Sequence, residues 1–373
     1  MILKALFWGS LGGLAWTHVG YPLTAAGLKR LRAREIRKDD ITPSVTLIVP
    51  AHNEEDVIAR RVENLLELDY PRDQLEIVVA SDGSTDRTHE IVESQAGRNG
   101  HLRLLRCERA GKLPALNRAV LETESEILAF GDANATWAPD ALSKLVRSFA
   151  DPQVAYVCGQ VRFERRDGTN KEGVYWRYEM WLRESESALG SITGGNGAIY
   201  AVRREDYVDW PFGHDLGFPN LMVQRGRRAV YEPEAVAFEK PSRDIEDEYR
   251  RKVRMLPWSW RHLFEARSLQ DVPPLYRTQL LSHRVLRYGS GFLHITLLST
   301  SVALVRAGLP YQAALASQAA WLALAAAGKL RLPVPGAGLA YYYVLMSWAT
   351  VVALGRYLRE GAPLMWEKAE GTR

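Results

Sequence analysis

Two hydrophobic patterns divide the chain. Between residues 44 and 245, short apolar runs alternate with segments whose apolar positions recur every three or four residues. Residues 45–49, 75–80 and 102–105, and the apolar run that stops at Asp132, have the length and composition of buried strands. After the first run, Val57, Ile58, Val62, Leu65 and Leu66 share one helical face, with Asn53 as candidate cap. A short helix over residues 87–93 follows the second run, and Leu113, Leu116, Ala119 and Val120 mark a helix after the third. Past the fourth, Trp137-Ala138-Pro139-Asp140 leads into a helix with Pro and Asp in its first turn. This alternation predicts an α/β fold with a mostly parallel sheet covered on both faces.

Residues 151–245 mix strand and helix signals. The glycine-rich stretch 191–200 runs into a strand; turn geometry or close backbone approach to a ligand explains it equally well. Gly213-His214-Asp215 opens a helix through Gln224 that Gly226 can close, and residues 230–237 form a return strand.

The second pattern is long apolar stretches at both ends. Residues 5–28 suit a bilayer span, and the basic block Lys29, Arg30, Arg32, Arg34, Arg37 and Lys38 follows at once. Charge after the apolar run fits an uncleaved anchor better than a cleaved signal peptide. Three more apolar segments lie at 288–305, 311–327 and 337–354, and residues 246–267 form a basic, Trp-bearing amphipathic stretch suited to a membrane surface. The expected organisation is an anchor (1–28), a basic linker (29–43), a catalytic domain (44–245), interface helices (246–286), three membrane segments (287–360) and a tail (361–373). It places a multi-pass protein in the cell inner (plasma) membrane with its catalytic domain cytoplasmic.

Composition changes this little. Of 373 residues, 47% are hydrophobic and 25% charged, which describes a globular protein with ample core. The net charge of +4 is modest and no base-reading module accompanies the basic block, so no nucleic-acid partner is expected. Cys107 and Cys158 have no metal or redox spacing.

Chemistry gathers at strand ends, where parallel sheets bind ligands. Three expected ends carry acids: Glu54, Asp82 and Asp132. Asp132 with Asn134 is a plausible seat for a divalent cation and a phosphate; an ordinary strand-to-helix turn explains the pair when it stands alone. The first strand lacks the Gly-X-Gly-X-X-Gly turn of dinucleotide-binding enzymes. An aspartate-based phosphohydrolase wants a second Asp where Asn134 stands.

Val49-Pro50-Ala51-His52-Asn53-Glu54, Ser81-Asp82-Gly83-Ser84-Thr85-Asp86, Gly111-Lys112 and Asp132-Ala133-Asn134 occur in an order that resembles the family 2 glycosyltransferases. The likeness is to the membrane-bound cellulose, hyaluronan and poly-N-acetylglucosamine synthases, and it covers nearly the whole chain. It implies a GT-A nucleotide-diphosphosugar domain and transfer of a sugar from a nucleotide-sugar, expected to be a UDP-sugar, to a saccharide or lipid-linked acceptor. Pro50, His52 and Glu54 match the motif that holds uracil and ribose, and Asp82 the acid that contacts the nucleoside. Lys112 matches the lysine that reaches the donor phosphates; Asp132, Ala133 and Asn134 occupy the Asp-X-Asp motif that holds Mg2+ or Mn2+. Asp215 takes the place of the catalytic base in an inverting displacement. Arg254 adds positive charge at the diphosphate, and Arg251 and His214 fall on the acceptor side. Membrane lipid, and an export or accessory subunit, are further partners.

Three positions depart from the family pattern. Asn134 replaces the second carboxylate of Asp-X-Asp, and His214 replaces the first acid of the pair ending in Asp215. Arg251-Lys252-Val253-Arg254-Met255 keeps the arginine of Gln-X-X-Arg-Trp and lacks its acceptor-stacking Trp, which puts processive synthesis in doubt. His214 is left with two roles, contact with the acceptor or with Asp215, or none beyond starting a helix. The rival readings are a catalytically degenerate, nucleotide-binding subunit of a polysaccharide synthesis or export assembly and a polyprenyl-phosphate glycosyltransferase.

Overall fold

The computed structural model describes residues 1–163 and 173–363. Residues 364–373 of the expected tail lie outside them. The chain divides into two compact units. One comprises Ala25–Ser242 with Ala266–Tyr276 and holds the sheet. The other is helical and comprises Met1–Thr24, Arg243–Glu265 and Arg277–Ala362.

The sheet unit follows the expected alternation: β1 (Val45–Ala51), α1 (Ile58–Leu66), β2 (Leu75–Asp82), α2 (Thr88–Ala96), β3 (Leu102–Cys107), α3 (Lys112–Leu121) and β4 (Ile127–Phe130). Then come β5 (Thr136–Trp137), α4 (Ala141–Val146), β6 (Val154–Phe163), α5 (Val174–Ala188), β7 (Tyr200–Arg203), α6 (His214–Gln224) and β8 (Arg228–Glu239). The strands form one sheet in the order β3-β2-β1-β4-β7-β6-β8-β5. The first four are parallel, as the apolar runs predict, although the edge strand β3 is only partly buried. Beyond β4 the sheet is mixed: β7 runs antiparallel to both β4 and β6, β8 parallel to β6, and β5 antiparallel to β8. The expectation of a mostly parallel sheet is corrected to a mixed one. The physical reason is that β7, β6 and β8 are joined through loops and helices that return the chain in both directions.

Both faces of the sheet are buried. One packs on α1, α2 and α4 through Val49, Ile58, Leu65, Leu142 and Val157. The other packs on α3, α5 and α6 through Ile48, Leu116, Met180 and Phe218. Pro50 sits in a central strand without harm. β1 pairs with β4 only as far as Ile48–Phe130, so β4 has left the sheet where the missing N–H of Pro50 would have donated.

The basic linker is fastened to the sheet unit. Arg34 donates its backbone N–H to Ala188, Arg228 donates to the carbonyls of Arg34 and Glu35, and Lys38 pairs at 2.8 Å with the fully buried Glu232. Arg147 donates to both oxygens of Glu232. Burial alone would raise the Glu232 pKa; the hydrogen bonds from Arg147 and Lys38 outweigh it and hold the carboxyl below its usual range.

In the helical unit, a helix Ile2–Ala15 passes through one widened turn, Trp16–Gly20, into Tyr21–Arg32. Helices Ile245–Glu265, Ser290–Ala303, Leu309–Lys329 and Ala337–Glu360 complete the unit with shorter pieces. Glycines let the helices touch: a Cβ on Gly291 would come within 2.4 Å of the Ser347 carbonyl, and one on Gly328 within 2.2 Å of that of Ala337. By length and composition, one helix among the described residues, Ala337–Glu360, is long and apolar enough to cross a membrane. The other three expected spans do not reach that mark. The N-terminal stretch is broken by the widened turn, and Ser290–Ala303 has 14 residues. Large apolar side chains nonetheless face outward from these helices, among them Trp8, Val19, Val302, Leu322, Leu339 and Trp348.

Candidate active site

The site is built at the carboxyl ends of β1, β2 and β4. At the end of β1 the backbone turns sharply: Asn53 has φ 53°, left-handed, and its Oδ1 accepts from the N–H of Thr85 at 2.7 Å. Asn53 therefore ties two loops together and does not cap α1, whose N-cap is Val57. His52 Nδ1 lies 2.8 Å from the Asp82 carbonyl, and the Glu54 N–H donates to Thr88 Oγ1 at 2.8 Å. Glu54 is buried at 1% exposure. Pro50, His52 and Glu54 are thus brought together with the end of β2.

Asp82 is the residue expected at the nucleoside. Its side chain is completely buried. Oδ1 accepts from the N–H groups of Ala110 (2.7 Å) and Gly111 (3.0 Å), and Arg109 pairs with Oδ2. Gly111, at φ 111°, is a conformation that side chains avoid, and it hands the chain to Lys112 at the start of α3. With both oxygens committed to this turn, Asp82 anchors the loop that delivers Lys112.

Lys112 reaches Asp132 and pairs with its Oδ1. Burial alone would lower the lysine pKa; the charge and hydrogen bond of Asp132, with the charges of Asp215 and Glu239, raise it overall. The glycine-rich turn closes over this pair. A Cβ on Gly197 would lie 3.3 Å from Asp132 Oδ2 and 3.6 Å from Lys112 Nζ, so close backbone approach is what the glycine provides. Two residues earlier, the Gly195 N–H donates to the Asp215 carbonyl at 2.6 Å. One turn therefore links the strand tip to the start of α6.

Asp215 is half-buried in the first turn of α6, and its Oδ1 accepts from the Leu216 N–H at 3.1 Å. Burial raises its pKa, Lys112 opposes that rise and Asp132 adds to it. A carboxylate held above its usual range is suited to taking a proton from a hydroxyl.

His214 points away from solvent. It is 3% exposed, its Nδ1 lies 2.9 Å from the Tyr200 hydroxyl, and its ring packs among Phe130, Tyr207 and Phe218. Burial, with a smaller contribution from the charge of Lys112, lowers its pKa to about 3, so it is neutral at physiological pH. The acceptor contact expected of His214 is replaced by an aromatic core position beneath Asp215. Ala133 is likewise core, at 5% exposure.

Arg251 and Arg254 belong to the helical unit, on Ile245–Glu265. There Arg251 is held by Glu248 through Nε at 2.8 Å and Nη2 at 3.1 Å.

Sequence reasoning missed Arg61, Arg109 and Glu239. Glu239 ends β8, where β5 pairs in register (Thr136–Phe238), and its charge acts on both Lys112 and Arg61. The signal for Arg61 was available: a charged residue on the apolar face of a helix, in step with Ile58, Val62 and Leu65.

The donor set fits a shared cation. Among the described residues no three His, Cys, Asp or Glu side chains lie close enough together to hold an ion by themselves. Asp132 and Asn134 offer one carboxylate and one amide oxygen at a partly exposed tip. Mg2+ and Mn2+ are commonly held by one or two carboxylates with the remaining positions filled by phosphate oxygens and water.

Residues 46–209 match glycosyl transferase family 2. The chain carries a family 2 glycosyltransferase domain. The match covers the tips of β1, β2 and β4 and stops before Asp215. Over 215 residues the chain is 33% identical to the beta-monoglucosyldiacylglycerol synthase of Nostoc sp., covering 54% of this chain and 45% of that one. It is 28% identical to an N-acetylglucosaminyltransferase of Azorhizobium caulinodans, over 53% of this chain and 55% of that one. The chain thus spans about half the length of the curated relatives it matches. Among solved structures, a mannosyltransferase from Pyrobaculum calidifontis in complex with GDP-Man and Mn2+ superposes with a TM-score of 0.74 and 27% identity, covering 96% of this chain and 98% of that one. The sheet unit has the GT-A fold found in nucleotide-sugar-dependent glycosyltransferases.

Proposed function

We propose that this protein is a membrane-bound transferase that moves a sugar from a nucleoside diphosphate onto a lipid-borne acceptor with inversion of the anomeric centre. The observation that carries the reading is the convergence of Lys112, Asp132 and Asp215 around the Gly195–Gly197 turn. The acceptor reading draws on the outward-facing apolar side chains of the helical unit, on the helix Ala337–Glu360, and on the diacylglycerol in the name of the Nostoc relative. A saccharide acceptor is the second reading, favoured by the poly-beta-1,6-N-acetyl-D-glucosamine synthase of Staphylococcus aureus, 24% identical over 55% of this chain.

Asp132 and Asn134 would hold Mg2+ or Mn2+, which when bound supplies Lewis-acid stabilisation of the leaving diphosphate. Lys112 exchanges its carboxylate partner for phosphate oxygens and neutralises charge as the bond from the sugar C1 to the diphosphate breaks. Asp215 accepts the proton of the acceptor hydroxyl as that oxygen forms the new bond to C1. One base suffices for a single inverting displacement. The buried ring of His214 fixes the start of α6 and so the aim of Asp215.

The β1 motif points to a UDP-sugar, and the Pyrobaculum structure, with GDP-Man, brings a GDP-sugar beside it. The test is nucleoside diphosphate release from UDP-glucose, UDP-N-acetylglucosamine and GDP-mannose with Mn2+ and diacylglycerol or polyprenyl phosphate in nanodiscs. Asp215→Asn should lower transfer by about a thousandfold or more and leave nucleotide binding intact. Full activity of that variant, or a product of retained configuration, overturns the mechanism.

A further inference from the structure

Arg61 is the buried charge for which the transfer chemistry has no use. It sits on α1 at 2% exposure, on the face that also buries Ile58, Val62 and Leu65. Nη1 donates to Asn64 Oδ1 at 3.0 Å, and the guanidinium lies 5.3 Å from the centroid of the Trp137 ring. Neither Nε nor Nη2 has a hydrogen-bond partner among the described residues. Burying a cation with two donors unmade is unfavourable, and an aliphatic side chain of similar volume would avoid that cost.

Its surroundings point to what it does. A Cβ on Gly131 would come within 2.5 Å of Nη2, so the guanidinium lies directly against the backbone that leads into Asp132. Asp132 and Glu239 are the anions that act on it. Burial lowers its pKa, those two carboxylates offset part of the fall, and at about 9 it stays charged at neutral pH. Nor is it free to swing away. Asn64 accepts from the Trp137 N–H and donates to the Trp137 carbonyl, each at 2.8 Å, and the Trp137 indole donates to the Ala198 carbonyl at 2.9 Å. Arg61, Asn64, Trp137 and the glycine-rich turn form one braced block under the strand tip.

We propose that Arg61 is a positioning residue that acts through charge: a fixed cation beneath the Asp132 tip that holds down its affinity for a divalent ion until a donor diphosphate arrives. The inference rests on the reading of Asp132 as the cation–diphosphate site. A buried cation against the backbone that leads into Asp132 repels a second cation at that tip, so the ion alone binds weakly. The diphosphate adds negative charge, reverses the balance, and makes cation and donor load together. Asn134 in place of a second carboxylate acts in the same direction.

The test is titration of the full chain with Mn2+ alone, followed by electron paramagnetic resonance, and again with UDP or GDP present. Arg61→Met removes the charge at similar volume. Arg61→Gln also removes it and keeps a donor for Asn64, which carries the test should the Met variant fail to fold. Arg61→Lys keeps the charge. Without nucleotide, the neutral variants should bind Mn2+ on the order of fivefold tighter than wild type, with Arg61→Lys close to wild type. The gap should narrow when nucleotide is present. A purely structural role predicts weaker or unchanged Mn2+ binding, and that result in a variant with native near-UV circular dichroism overturns the proposal. Wild-type protein that binds no Mn2+ with or without nucleotide would instead remove the cation site itself, and this inference with it.

Discussion

Asp82 and Asp132 carry the same signal in the sequence, a carboxylate where a buried parallel strand ends, and the structure gives them opposite surroundings. Asp82 is fully enclosed, with two backbone N–H groups and Arg109 on its oxygens. Asp132 keeps 28% of its side chain exposed, and its hydrogen-bonding partner is the flexible end of Lys112. The difference arises in the loops. The turn at 109–111 folds back onto β2 and consumes the first carboxylate. The turn at 195–197 carries glycine where a side chain would crowd the second. On the proposed mechanism one acid builds the site and the other works in it; the first holds the turn that aims Lys112 at the second.

Substitution separates the two. Asp132→Ala should lower transfer by about a hundred- to a thousandfold while the denaturation midpoint barely moves, because that carboxylate is partly solvated. Asp82→Ala should behave in the opposite sense. Removing a fully buried partner of Arg109 and of two N–H groups costs about 3–5 kcal/mol of folding stability, readable in urea unfolding. A stable, inactive Asp82→Ala would return Asp82 to direct donor contact and break the comparison.

A smaller effect probes the ground beneath Asp215. His214 is a base whose pKa falls on folding, from an ordinary value of 6.5 to about 3. Its contribution is therefore complete above pH 6.5 and is lost as pH falls toward the folded value, because the unfolded chain takes up the proton first. Between pH 6.5 and 5 the loss should reach about 2 kcal/mol. His214→Phe should flatten that part of the stability profile. An unchanged profile in this variant would mean that His214 is not the group buried neutral. The salt-bridged Glu232, whose pKa is depressed, loses its contribution at lower pH, as pH falls from the ordinary carboxylate range toward its folded value and the unfolded chain again takes up the proton first.

Much of this was legible before any coordinates. The parallel half of the sheet was readable because β1, β2 and β4 are nearly continuous apolar runs, with Thr46 and Glu76 as the interior exceptions, as strands buried on both faces require. The mixed half was not. β5 has two residues, too few for periodicity, and the direction of β7 is set by its partners and not by its composition. Asn53 looked like a cap because Asn commonly is one; its left-handed backbone and bond to Thr85 are tertiary facts. Lys112, Asp132 and Asp215 stand out because their residue types and order follow a known pattern, and their roles in transfer are the proposal. Arg109 and Glu239 were not, since surface-like charges in a turn and at a strand end are common. Arg61 stood in plain view as a charge on an apolar helix face and was passed over. At the chain ends, the apolar stretches were visible, but neither the widened turn at Trp16–Gly20 nor the short length of Ser290–Ala303 could be read from hydropathy.

The central claim is that Asp132 is where a divalent cation and a donor diphosphate meet. Protein-bound Mn2+, measured by electron paramagnetic resonance with UDP or GDP present, addresses it directly when wild type is compared with Asp132→Ala. The account predicts saturable binding in wild type that is lost or weakened at least about tenfold in the variant. Equal binding by the two proteins would contradict it.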